Sequence, residues 1–239
     1  MQSKIFFYAL VLFVFAGIST SCEKNQDDQL STEIDPTTTA IVAELASTLT
    51  QDLAKIGTQS VQGQLLANAV CGATRDSTFS NAISQGNFSK TGSMNLQWTL
   101  NCNQLRVPVS AKVIAAGSGS LDSKILSSSS ENDGDFTLSG LAKSASTYQL
   151  DGSFIQIAKP VYKVRNETHF YSQIDATVSK LSISKTSTPT ITGGTVTFKV
   201  QTGQLREQAQ FLLEGSIVFK GNKQATLTVN GKTYEIDLN

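Results

Sequence analysis

The chain has 239 residues, 19 basic and 19 acidic side chains, three cysteines and one histidine. A net charge of zero removes the general electrostatic attraction that draws proteins to nucleic acid or to anionic membrane surfaces. A zinc site of histidines and cysteines would lack ligands, and the length is ample for a core.

The chain opens with Lys4 and the apolar run "IFFYALVLFVFAGI" from Ile5 to Ile18. This run suits the core of a secretory leader and is shorter than the about 20 residues of a membrane-spanning helix. Small residues Ser19, Thr20 and Ser21 then precede Cys22. Two kinds of processing fit. A general signal peptidase would read Ser19 and Ser21, and a lipoprotein peptidase would cut before a Cys22 already carrying a diacylglyceryl group. Cysteine arithmetic favours the lipid. Lipidating Cys22 leaves Cys71 and Cys102 as an even pair, whereas an unmodified Cys22 would be an odd thiol in an oxidising compartment.

The stretch "AGISTSCEKNQDD" resembles a bacterial lipoprotein signal with its lipobox, of the relaxed kind found in the Bacteroidota, with Ser19 where the common pattern has Leu. The resemblance implies a signal peptide over residues 1–21, lipidation of Cys22 and anchoring in the cell envelope at the outer membrane. The Lys-plus-acidic tract behind Cys22 resembles the export signal of surface lipoproteins in that group. The resemblance ends with that tract.

Residues 22–35 read as an acidic tether: Glu23, Asp27, Asp28, Glu33 and Asp35 face a single Lys24, with little to bury. Residues 36–239 read as one β-rich domain that begins with a helical segment. Asp35 is placed to cap it, Pro36 fits its first position, and Ile41, Leu45, Leu49, Leu53 and Ile56 form one helical stripe before Gly57. A shorter helical segment is expected through Val61, Leu65 and Leu66 to Val70. The apolar stripe is expected to pack on a sheet.

From Cys71 onward the period is two. Met94, Leu96, Trp98, Leu100 and Cys102 alternate with Asn95, Gln97, Thr99 and Asn101, the pattern of a half-buried strand. Cys102 thus shares the apolar face with the single tryptophan, and a structural Cys71–Cys102 bridge is expected. A redox pair would want the close C-x-x-C spacing. Alternation continues through Leu105, Val107, Val109, Ala111 and Val113, and a break is expected at "GSGS", 117–120. Residues 127–135, "SSSSENDGD", read as a loop because Asp133-Gly134 is a strong turn signal. Strands are expected over 136–142, 148–157, 170–183, 196–200 and 211–219. Asn230-Gly231 then joins "ATLTV" to "KTYEIDL" as a type I′ hairpin.

"YQLDGSFIQI" and "FLLEGSIVFK" share aromatic-x-Leu-acid-Gly-Ser-apolar-apolar. They read as two hairpins of one meander. The expected fold is therefore mainly β, an antiparallel meander curled into a barrel or sandwich, with a short N-terminal helical segment. Apolar residues at outward positions (Ile155, Ile157, Leu212, Val218) lead one to expect part of the second face to be covered.

Few residues suggest chemistry. His169 stands alone, without a G-x-S-x-G nucleophile, and reads as a surface residue. Asp151 and Glu214 hold matching places in the two similar strands, as a glycosidase pair would if they converged. "ENDGD" lacks the spacing of a calcium loop. Lys159, Lys163 and Arg165 gather near Tyr162, and Asp76-Ser77-Thr78 resembles a Bacteroidota O-glycosylation tripeptide. No cofactor motif is present. The reading is a lipid-anchored, non-catalytic binding or structural module whose partners are the membrane and a glycan, protein or apolar ligand. Its alternatives are a carrier of lipid and a carboxylate-based hydrolase.

Overall fold

The computed structural model describes residues 70–237 apart from 143, 164–167, 187–189 and 205–209. The leader, Cys22, the acidic tether and the helical segments expected before Val70 lie outside the described residues. Ten strands follow: β1 (Thr74–Gln85), β2 (Phe88–Cys102), β3 (Pro108–Asp122), β4 (Leu126–Ser139), β5 (Thr147–Tyr162), β6 (Thr168–Ser184), β7 (Ile191–Gln204), β8 (Gln210–Gly221), β9 (Gln224–Val229) and β10 (Lys232–Asp237). They form one antiparallel sheet in chain order, with β1 and β10 as its edges. The expected meander forms, as one unclosed sheet rather than a closed barrel or two stacked layers.

One face is buried from β2 to β9. Opposed residues of a ladder share a face, so the register lines the inner side chains up in rows across the sheet. One such row runs Trp98, Val113, Phe136, Gly152, Val178, Val196, Ile217, Leu227 and Tyr234. Leu138, Leu150, Leu181, Ile183, Ile217 and Leu227 on this face are all 0% exposed. Each side chain buried so completely contributes about 1.5–3 kcal/mol, which makes these rows the source of the fold's stability.

The two similar segments become β5 and β8, and their shared glycine has a packing reason. Gly152 lies against Phe136 of the preceding strand, where a Cβ would sit 2.7 Å from the ring's Cδ1 and 2.2 Å from the Asp135 carbonyl oxygen. Gly215 lies likewise against Phe198, where a Cβ would come 2.6 Å from Cζ. An inward Phe on one strand thus takes the space left by an inward Gly on the next.

The Sγ atoms of Cys71 and Cys102 are 2.06 Å apart, as a disulfide that ties the chain's entry to the end of β2. At the other end of the chain, Asn230 and Gly231 have φ of 44° and 81°, the positive pair a type I′ turn requires.

Four expectations are corrected. The "GSGS" break does not occur: β3 runs through it, with Gly117 and Gly119 inward and Ser118 and Ser120 outward. Nor is 127–135 a loop, because β4 runs through Asp133 and Gly134, laddered on both sides by β3 and β5. Two complete ladders outweigh the local turn preference, and Gly134 is needed where it stands because a Cβ would meet Phe136 Cε2 at 2.5 Å. The apolar alternation also starts later than expected. Leu105 and Val107 are exposed in the β2–β3 connection, where the Asn103 side chain accepts hydrogen bonds from both backbone N–H groups at 3.0 Å. The outward residues Ile155, Leu212 and Val218 are 43–47% exposed, so the second face is not covered at those positions.

Candidate functional site: a polar band on the inner face

Toward the end of the sheet away from the disulfide, the inner face changes character. One row reads Gly92, Gly119, Ser130, Ala158, Ser172 and Thr202, and the next Met94, Gly117, Asn132, Gln156, Ile174 and Val200. Ser130, Asn132, Gln156, Ser172 and Thr202 are only 3–7% exposed. Among them Ser130 Oγ, Asn132 Oδ1, Gln156 Nε2 and Thr202 Oγ1 have no hydrogen-bond partner among the described residues. A buried polar atom left unsatisfied costs about 1–3 kcal/mol, so four on two adjacent rows favour whatever water or bound molecule can pair with them.

The band has room. Between β2 and β7 its first row contains nothing larger than threonine, with Phe211 at the next position on β8 opposite Thr202, whereas the adjacent apolar rows hold Phe136, Phe154 and Phe198. Glycine is needed at 117 because a Cβ would come 2.9 Å from the Ser93 carbonyl oxygen of β2, while the Asn132 amide would be in ordinary contact at 3.6 Å. The band also lies where the sheet is narrower. Strand β9 ends at Val229, opposite Gly215, so β9 and β10 extend over the apolar rows only. Lys90, 4% exposed, faces inward one row further along β2, opposite Leu121, and has an interaction of its own.

The described carboxylates occupy outward positions. Lys112 meets Asp135 at 3.1 Å, Lys199 meets Glu214 at 3.4 Å, and Glu235 takes two 2.8 Å bonds from Lys220. These bonds, with one from the Thr226 hydroxyl, hold the Glu235 carboxyl below its ordinary pKa.

The residues singled out from the sequence do not meet. Asp151 accepts a 2.7 Å bond from the backbone N–H of Lys180, and Glu214 is paired with Lys199 three strands away. Three strand spacings are about 14 Å, beyond the roughly 5–9 Å of a glycosidase pair. The converging pair is therefore withdrawn, because equivalent positions on β5 and β8 are held apart by β6 and β7. His169 is exposed on β6 opposite Val161. The basic cluster is divided: Lys163 binds Asp122 at 2.5 Å and the Ser123 carbonyl at 3.1 Å, Lys159 is exposed, and Arg165 lies outside the described residues. Ser77 of the glycosylation-like tripeptide faces inward opposite Leu96, while Thr78 accepts a 3.1 Å bond from the Asn95 amide.

Sequence reasoning missed the band. The signal was present in "LSSSSENDGDFTL", where Leu126, Phe136 and Leu138 share the parity of Ser128, Ser130, Asn132 and Gly134. A strand with polar inner positions keeps its period but loses its hydropathy contrast. No protein-family model matches the chain, and the searches of curated proteins and of solved structures find no match either.

Proposed function

We propose that this chain is a lipid-anchored, non-catalytic binding module of the bacterial cell envelope, held at the outer membrane through Cys22. The observation that carries the binding reading is the polar band, with four buried polar atoms unpartnered among the described residues in the narrower part of an unclosed sheet. The anchor reading is supported by the lipobox-like leader and by the Cys71–Cys102 pairing, which leaves Cys22 as the odd cysteine. The chain enters the sheet at the disulfide end. The band lies about 25–35 Å further along β2, on the side away from that attachment.

A carrier of acyl chains is the weaker reading. The apolar rows are filled by their own side chains, and a lipid would have to displace them. The test of the anchor is intact-mass analysis of the protein from its native envelope, with a Cys22→Ser variant beside it. The expected result is an acylated chain starting at Cys22, with the variant moving to the soluble fraction. An unacylated wild-type chain refutes the anchor.

A further inference from the structure

We infer that the polar band is a saccharide site, taking a small uncharged polyhydroxylated ligand; this deepens the binding reading above and rests on it. The class follows from the atoms left without partners. Ser130 and Thr202 carry hydroxyls that both donate and accept, Gln156 presents an amide N–H₂ donor, and Asn132 presents an amide oxygen. A carboxylate or phosphate can only accept and an ammonium only donate, so each would leave part of this set unsatisfied. Vicinal sugar hydroxyls donate and accept from adjacent positions and meet all of it.

Charge points the same way. Neither polar row contains an ionisable side chain, and Lys90, one row beyond, is already engaged. The spacing of the groups matches too: from Ser130 and Asn132 on β4 to Thr202 on β7 the polar positions span about 14 Å by 7 Å of sheet, the separation of hydroxyls on about one or two sugar rings. Beside it, Ile174 and Val200 are 4–5% exposed and give a dry apolar border on which a ring's C–H face can rest.

The experiment titrates the full chain carrying Cys22→Ser with uncharged glucose, galactose, mannose and N-acetylglucosamine oligomers, and with palmitate as an acyl probe. Binding is read by calorimetry and by the side-chain amide NMR signals of Asn132 and Gln156. The expected result is saturable binding of at least one saccharide that shifts those signals. Affinity should fall roughly tenfold or more in Asn132→Leu/Gln156→Leu, fall several-fold in the near-isosteric Thr202→Val, and be unchanged in Lys199→Met on the outer face. No saccharide shift, with folded leucine variants, means that water alone fills the band, and the inference is overturned. Saccharide binding that leaves both amide signals and both variants unaffected overturns the site but not the binding module. Palmitate binding lost in the variants, without saccharide binding, overturns the ligand class alone. Turnover of a bound saccharide supports the site and overturns the non-catalytic reading.

Discussion

Phe136 stands between two glycines, and the fold predicts different responses from them. An alanine at Gly134 would place its Cβ 2.5 Å from Phe136 Cε2, 3.0 Å from Cζ and 3.5 Å from Cδ2. Carbon atoms rest at about 3.5–4.0 Å, so the closest approach is short by about 1 Å. Phe136 is 1% exposed, and its ring cannot turn aside without displacing its neighbours. Gly134→Ala should therefore cost about 1–3 kcal/mol, the usual penalty of overpacking, or roughly 2–12 °C in Tm for a domain of this size. Phe136→Leu removes Cε2 and Cζ, and in that background Gly134→Ala should cost close to nothing, a coupling of about 1 kcal/mol or more. Gly152→Ala differs, because two of its three short contacts are main-chain atoms, Asp135 O at 2.2 Å and Phe136 Cα at 2.7 Å. It should stay costly in both backgrounds. Gly193 has nothing within 4 Å, and Gly193→Ala should be neutral or stabilising by about 0.4–1 kcal/mol. Urea unfolding of the single and double variants measures all of these. Equal cost for Gly134→Ala with and without the ring would refute the packing argument.

The other predictions use parts of the fold distant from that ring. Replacing Cys71 and Cys102 together by serine reopens a loop of sequence separation 31 and should cost about 3–4 kcal/mol; calorimetry with and without reductant checks it, and an unchanged Tm counts against the bridge. Gly231→Val should cost about 1–2 kcal/mol, because φ is 81° and no atom lies within 4 Å of the site, so the penalty is conformational alone. Unfolding of this variant with an unchanged midpoint would show that the hairpin adopts another turn. The hydrogen bonds from Lys220, then that from Thr226, lower the Glu235 pKa. Its folded pKa thus lies below its unfolded one, so its stabilisation is complete above the unfolded value and is lost as pH falls through the folded value. In Lys220→Met the Glu235 carboxyl signal should titrate at higher pH, and that part of the acid dependence should flatten; an unmoved titration would dismiss the pair.

The sequence by itself determined the features that depend on neighbours along the chain. Period-two alternation over Met94–Cys102 placed Leu96, Trp98 and Leu100 inside, because a strand's side chains point alternately to its two faces. Asn230-Gly231 announced its hairpin because few residue pairs accept positive φ at both positions. The Cys71–Cys102 pair followed from an odd cysteine count and a shared apolar face. Where the inner positions are themselves polar or glycine, as in Ser128–Gly134 and Gly117–Gly119, the local rule saw turns, and only the ladders with both neighbours show strands. Register across β4 to β7 assembles Ser130, Asn132, Gln156 and Thr202, which stand far apart in the chain, into one band. The same strand order keeps Asp151 from Glu214. Which residues share a face is a local property of the backbone, but which strands lie side by side is decided by the pairing of the whole sheet.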